Sequence, residues 1–412
     1  MKLSIEEQLA RIREHTVEII PEEELAAKLA SGRPLRVKLG VDPTGPDIHL
    51  GHAVVLRKLR LFQDLGHVAV LIVGDFTGMI GDPSGRSEGR PQLTREQVEK
   101  NVANYRSQVE KILDPAKTEI RYNGEWCSKL TPEQILRLAA THTVAQMLAR
   151  DDFEQRYKSE QPIGIHELLY PIFQGYDSVA VRSDIELGGT EQKFNLLVGR
   201  ELQRAGVLEA PQEPQCIITF PILVGTDGVR RMGKSLGNYI GVTEPPDEMF
   251  GKVMSLADQV MGDFFSLCTD VPAAEIEQML AETKSGALNP RDAKRRLAQE
   301  IVTLYHSAEA AEAADATFLR VFSHARSQTL EDYAALAEEA AIPEDLRDEP
   351  VWISTAIHRL GLAKTKSEAT RLVKSGAVHV GDRQISDPQE GIRLEPGTIL
   401  RVGKRRVARL IY

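Results

Sequence analysis

Two histidines separated by a leucine and a glycine, His49-Leu50-Gly51-His52, stand directly after a turn of Asp42-Pro43-Thr44-Gly45-Pro46-Asp47. Ring N–H groups at the start of a helix suit phosphate binding, because the unpaired backbone N–H groups of the first turn carry partial positive charge. Gly51 would let a flat ring approach the backbone closely. The pair is spaced i, i+3 with no partner cluster nearby, which makes a poor metal site. Helix-capping histidines are the plain alternative.

Other segments invite similar questions. Gly228-Val229-Arg230-Arg231-Met232-Gly233-Lys234-Ser235 satisfies the phosphate-loop pattern letter for letter. That loop must leave a strand and enter a helix, whereas here a turn precedes it and Pro245-Pro246 soon follows. A surface loop carrying a phosphate-binding lysine, Lys234, fits better. Gly74-Asp75-Phe76-Thr77-Gly78-Met79-Ile80-Gly81-Asp82-Pro83-Ser84-Gly85-Arg86 is glycine-rich, and Arg86 with Arg90 either reaches a polyphosphate or is solvated. Tyr170, Gln174 and Asp177 stand at i, i+4 and i+7, so they share one helix face. Three hydrogen-bonding groups there suit a polar pocket, with a solvated face as the alternative. Leu187-Gly188-Gly189-Thr190-Glu191-Gln192 reads as a strand end passing into a helix.

Elements able to position these groups alternate along the first half of the chain. Ser4 with Glu7 makes a capping box for an N-terminal helix carrying Ile5, Leu9, Ile12 and Val17. Leu35 to Val41 reads as a strand, Leu50 to Leu65 as a helix and the valine-rich Val68 to Val73 as a strand buried on both faces. A helix follows over Thr94 to Leu113, then a strand over Glu119 to Tyr122 and a helix from Thr131-Pro132. Further strands are expected at Val179 to Val181, Ile185 to Leu187 and Cys216 to Leu223, with a helix over Glu191 to Arg204. This is the pattern of a Rossmann-like, doubly wound parallel α/β domain. Helices are expected over Met249 to Leu267, Ala274 to Thr283 and Arg291 to Phe322. The weakly patterned stretch from Ser323 to Glu349 reads as a linker. Two short helices, Ser354 to Leu360 and Ser367 to Lys374, then precede several short strands, making a small α+β module.

The chain has 412 residues, a formal net charge of -9 and three widely spaced cysteines, Cys127, Cys216 and Cys268. Spacing of that kind argues against a disulfide scaffold or structural zinc, and no apolar run suits a membrane span. A cytoplasmic, membrane-free protein is expected. The charge is unevenly spread: residues 351–412 hold 12 Lys and Arg against 5 Asp and Glu, or +7, and the remainder holds 39 against 55, or -16. A basic module on an acidic body suits an anionic partner, or else a solvated basic face.

Taken together, these stretches resemble the class I aminoacyl-tRNA synthetases, and within them the bacterial tyrosyl-tRNA synthetases. His49-Leu50-Gly51-His52 resembles the HIGH signature and Arg231-Met232-Gly233-Lys234-Ser235 the KMSKS signature. The basic tail, with Thr365-Lys366-Ser367-Glu368-Ala369 and Val373-Lys374-Ser375-Gly376-Ala377-Val378, is similar to the RNA-binding module named after ribosomal protein S4. The resemblance implies a catalytic domain over 1–225, the signature loop and a helical anticodon-binding domain over 226–322, a linker over 323–350 and the S4-like module over 351–412. It implies tyrosine activation with ATP, magnesium accompanying the ATP, transfer to tRNA-Tyr, and a homodimer. By the same resemblance Thr44, His49 and His52 hold the ATP phosphates, and Lys234, Arg231, Arg86 and Arg90 serve the pyrophosphate. Gly51 and Gly189 would lie against the nucleotide, with Glu191 at the ribose. Tyr170, Gln174 and Asp82 would bind the substrate ammonium, Asp177 the phenol hydroxyl, and Gln192 and Asp42 the carboxylate region or the adenylate. Lys364, Lys366, Arg371 and Lys374 would bind RNA.

Two departures stand out. Many bacterial members carry a tyrosine four residues before the aspartate of the first strand, where this chain has Lys38. Arg231 and Gly233 replace Lys and Ser of the second signature, and an arginine meets phosphate as a planar fork. The rival readings are a tryptophanyl-tRNA synthetase, a non-catalytic RNA-binding protein, and a phosphate-loop NTPase with an RNA tail.

Overall fold

The computed structural model describes residues 3–43, 45–84, 93–102, 105–322, 333, 337–347, 349–403 and 406–412. It divides into two compact units, Met1–Ala316 and Thr317–Tyr412.

The first unit is built on a six-stranded sheet of β1 (Glu18–Ile20), β2 (Arg36–Val41), β3 (Val68–Val73), β4 (Thr118–Tyr122), β5 (Ile185–Gly189) and β6 (Cys216–Phe220), in the order β1-β6-β5-β2-β3-β4. All neighbours are parallel except β1, which pairs antiparallel with β6 at the edge. From β2 the chain passes outward to β3 and β4, then returns to the other side of β2 as β5. The strand order therefore reverses between β2 and β5, which opens a crevice at their carboxyl ends. The valine-rich β3 is buried along nearly its whole length, as expected of a strand covered on both faces.

Local signals place most elements. The Ser4–Glu7 capping box starts the Ile5–Arg13 helix, and Thr131 with Gln134 does the same for Pro132–Ala139. The first helix stops short of Val17, because His15 adopts a left-handed conformation (φ 58°) and the chain turns into β1. Val179 to Val181, expected as a strand, is instead the last turn of the Ile165–Val181 helix, which ends at the left-handed Arg182. A short β-branched run cannot be told from a buried helix turn by periodicity, and burial of nearly the whole of this helix after Leu169 decided for helix.

Two long helices expected from apolar spacing, Met249 to Leu267 and Arg291 to Phe322, are each broken in two, while the third is described in two stretches. Thr94 to Leu113 yields Arg95–Val102 and Tyr105–Val109, with residues 103 and 104 outside the described residues. Met249 to Leu267 yields Pro246–Met254 and Met261–Cys268, and Arg291 to Phe322 yields Pro290–Tyr305 and Ala308–Phe322. His306 makes the last break, its Nε2 lying 2.9 Å from the Glu244 carbonyl oxygen. The sheet and most of these helices share the compact unit Met1–Ala316. Arg57 donates to the Thr269 carbonyl at 2.9 Å and Lys111 to the Tyr305 carbonyl at 2.8 Å.

In the second unit β7 (Glu338–Ala341), β9 (Val378–Val380), β10 (Arg383–Ile385), β12 (Ile399–Val402) and β13 (Arg406–Ile411) form a five-stranded sheet, and β8 (Val351–Trp352) pairs with β11 (Gly391–Ile392). β7 lies inside the stretch expected to be a linker. It pairs parallel with β13, a partner that only the folded chain supplies. The helices Ile353–Arg359 and Lys366–Lys374 pack Ile353, Ile357, Ala369 and Val373 with Val378, Leu400 and Leu410. Among the described residues no helix is long and apolar enough to cross a membrane.

Candidate active site

The turn after β2 delivers His49 as the residue preceding the Leu50–Asp64 helix. His49 and His52 stack with ring centroids 3.7 Å apart, and the His49 N–H donates to His52 Nδ1 at 3.2 Å. This segment is stitched to the chain beyond the second signature. His49 forms a β-bridge with Gly241, Leu50 N–H donates to the Ile240 carbonyl and Val242 N–H to the Ile48 carbonyl, each at 2.9 Å. Burial, and next the nearby Lys234 charge, push His49 down to about 3. At neutral pH it therefore meets a ligand as a neutral hydrogen-bonding ring.

The phosphate-loop pattern is not housed in a phosphate-loop fold. Val224 bridges Arg231 antiparallel, and Asp227 caps the turn by accepting from Val229 N–H at 3.1 Å and Arg230 N–H at 3.0 Å. Those contacts, the Val229 N–H first, hold Asp227 down at about 2. Asn238 then clamps the loop, accepting from Gly233 N–H at 2.9 Å and donating to the Arg231 carbonyl at 3.1 Å. Only the 3-10 turn Lys234–Leu236 follows, so no helix start cradles the loop. Lys234 itself reaches the turn before His49. Its ammonium donates to the Gly45 carbonyl at 2.9 Å and to Tyr105 Oη at 3.2 Å, and lies 5.4 Å from the Tyr105 ring centre.

A polar cluster fills the carboxyl ends of the strands. Tyr170 Oη donates to Asp42 Oδ2 at 2.9 Å, and Thr77 Oγ1 to Asp42 Oδ1 at 2.8 Å. Asn195 Nδ2 donates to Gln174 Oε1 at 2.9 Å. Deeper, Asp177 accepts from Trp126 Nε1 at 2.8 Å and from Asn123 Nδ2 at 3.2 Å. Burial pushes Asp177 up to about 7, against the opposing pull of Lys38. On the β5 side, Gln192 accepts from Gly189 N–H at 3.1 Å and donates to Asp82 Oδ2 at 3.4 Å. Burial raises Glu191 above the usual carboxylate range, and its Oε2 has no hydrogen-bond partner among the described residues.

The fold thus gathers Asp42, Tyr170, Gln174 and Asp177 on one side, and His49, His52 and Lys234 on another. Thr44, Arg86 and Arg90 lie outside the described residues. Sequence reasoning passed over Thr77, Tyr105, Asn123, Trp126, Glu186 and Asn195. Asn123 carried a usable signal, since it directly follows β4 at the carboxyl edge of the sheet, where ligands bind in parallel folds.

Residues 30–323 match the family profile described as tRNA synthetases class I (W and Y). The chain is 52% identical over 393 residues to the tyrosine–tRNA ligase of Ralstonia nicotianae, covering 95% of each. It is 48% identical over 419 residues to that of Moorella thermoacetica, covering all of this chain and 97% of the other. The chain belongs to the tyrosyl-tRNA synthetase family. A structure titled as tyrosyl-tRNA synthetase complexed with L-tyrosine, from Archaeoglobus fulgidus, shares the fold with a TM-score of 0.61 at 24% identity, covering 76% of this chain and 100% of that one.

Family membership removes the NTPase reading, and the full-length relatives favour tyrosine over tryptophan. The second unit also has a match, an S4 domain over residues 351–400. In this synthetase's S4 domain Lys364, Lys366, Arg371 and Lys374 are all exposed, on or just before the Lys366–Lys374 helix.

Proposed function

We propose that this chain is a tyrosine–tRNA ligase that makes tyrosyl-adenylate and pyrophosphate from L-tyrosine and ATP, then charges tRNA-Tyr. The observation that carries this reading is Asp177, a buried carboxylate sharing a helix face with Tyr170 and Gln174 and held by Trp126 and Asn123. The phenol hydroxyl donates to Asp177, while Tyr170, Gln174 and Asp82 receive the ammonium and Asp42 with Gln192 the carboxylate region. The substrate carboxylate attacks the α-phosphorus, forming the mixed anhydride as the bond to pyrophosphate breaks. A terminal adenosine hydroxyl of tRNA then attacks the activated carbonyl and AMP leaves.

No side-chain nucleophile is needed, so the protein's contribution is alignment and charge stabilisation. Thr44, His49 and His52 serve the triphosphate; Lys234, Arg231, Arg86 and Arg90 stabilise the departing pyrophosphate. Gly51, Gly189 and Glu191 accommodate the nucleoside. Among the described residues no group of three His, Cys, Asp or Glu side chains is set to hold a metal. Magnesium accompanies the ATP as part of the substrate.

We assign catalysis to residues 1–225, anticodon contacts to 226–322 and further RNA contacts to the S4 domain, in a cytoplasmic homodimer. ATP–pyrophosphate exchange across the twenty amino acids tests the reading. Exchange driven by tyrosine alone is expected, and exchange driven by tryptophan, or by no amino acid, would overturn it.

A further inference from the structure

Lys38 lies in β2 with 0% exposure, and its Cα is paired with that of Glu186 on the adjacent parallel strand β5. The ammonium lies 2.8 Å from Glu186 Oε1 and donates to Ser178 Oγ at 2.7 Å and to the Gln174 carbonyl at 3.0 Å. Its three donors are thereby all used. Glu186, also 0% exposed, accepts at Oε2 from Ser178 Oγ at 2.9 Å and Gln215 Nε2 at 2.5 Å, and at Oε1 from Gln174 Nε2 at 3.4 Å. Gln174 and Ser178 flank Asp177 on the same helix.

A buried ion pair is a poor source of stability, since apolar residues of similar volume often serve as well. This one sits where the strand order reverses, beneath the helix turn that carries Asp177. We propose that Lys38 and Glu186 are specificity-determining positioning residues of the tyrosine site: Lys38 anchors the turn bearing Gln174, Asp177 and Ser178 and supplies positive charge that favours the ionised, accepting form of Asp177. The inference rests on the reading of Asp177 as the partner of the phenol hydroxyl. An anionic Asp177 left facing a phenylalanine ring would be a buried charge without its partner, so the charge on Lys38 sharpens rejection of that analogue.

The groups facing Asp177 define the test. Lys38 acts from β2 and Glu186 from β5, while Asn123, Trp126 and Cys127 approach from the β4 side, with Asp75 behind Cys127. Lys38 favours the ionised carboxylate and Glu186 opposes it, Lys38 being the larger influence.

Exchange kinetics of the full chain with tyrosine and with phenylalanine, followed from about pH 5 to about pH 9 across the ordinary range of such a group, separate this role from a structural one. Glu186→Gln is expected to move the acid limb of kcat/KM for tyrosine to lower pH. The double variant Lys38→Met/Glu186→Gln is expected to move it to higher pH and to cut tyrosine-over-phenylalanine selectivity at neutral pH by about fivefold, the fall in ionised fraction when a limb near neutrality moves up by about one pH unit. A limb that stays in place in both variants, or moves the same way in both, overturns the proposal even if both are less stable. If the double variant does not fold, Glu186→Gln alone decides, and an unmoved limb overturns the proposal. Absence of tyrosine-dependent exchange in the unaltered chain would instead overturn the functional reading itself.

Discussion

Lys234 of the second signature donates to the carbonyl of Gly45, 2.9 Å away, in the turn that leads into His49 of the first signature. The two signatures are far apart in the chain, yet they meet through this bond and through the His49–Gly241 bridge. The ammonium is thereby stationed beside the histidines.

Replacing Lys234 by methionine should therefore remove charge stabilisation while leaving the loop's Asn238 clamp intact. A fall of about 100- to 1,000-fold in kcat for exchange is expected, the usual cost of losing one donor to a developing charge. Steady-state exchange with ATP and tyrosine varied separately checks this. An unchanged kcat would remove Lys234 from the reaction.

Asp177→Ala should damage tyrosine activation far more than folding. Trp126 Nε1, on a half-buried side chain, would lose its acceptor, and Asn123 would keep only its bond to Thr77 Oγ1, the buried amide N–H costing about 1–3 kcal/mol. Comparing exchange rates with thermal midpoints distinguishes the two effects. Equal losses in both would make Asp177 a structural residue.

The same carboxylate makes a signed claim about pH. Its folded value is raised from 3.8 to about 7, so its contribution to stability is full below 3.8 and is lost as pH rises through 7. Asp177→Asn removes that dependence. The thermal midpoint of the variant relative to the unaltered chain should therefore improve between acid and mildly alkaline pH, and a constant difference would count against a buried titrating Asp177.

His49 makes the opposite claim. Its folded value is depressed from 6.5 to about 3, so its contribution is full above 6.5 and is lost as pH falls toward 3. Any stability advantage of the unaltered chain over His49→Asn should shrink as pH is lowered from neutrality. Thermal melts at several acidic pH values check the trend.

The second unit supports an RNA prediction made by truncation. Truncation at Glu349 would leave β7 without β13, whereas removal of residues 323–412 takes the five-stranded sheet away whole. That truncation should spare adenylate formation and weaken tRNA binding. It should also flatten the dependence of log affinity on log salt, because fewer phosphates are neutralised. Filter binding across a salt series reads both, and an unchanged slope would exclude the S4 domain as an electrostatic RNA contact.

Much of the scaffold was legible because its causes are local. The Ser4–Glu7 box, the apolar run of β3 and the shared face of Tyr170, Gln174 and Asp177 each depend on neighbours within two turns or one strand. The failures were equally local in origin. Apolar periodicity persists across a break, so it could not show that His306 ends one helix before Ala308 starts the next. A three-residue valine-rich run carried no sign that it closed the Ile165–Val181 helix.

Residue type and motif order were enough to point to the family that the relatives show. The partners of those residues were not written in that order. Lys38 stood only as a departure from the family's tyrosine until strand register set it opposite Glu186 and under the turn that carries Asp177. Likewise, the acidic stretch at Glu338–Ala341 becomes a strand only because β13 offers it a free edge. Backbone preference and capping act over a few residues, whereas burial, and with it the charge state of Asp177 and His49, is set by the elements that close over a side chain.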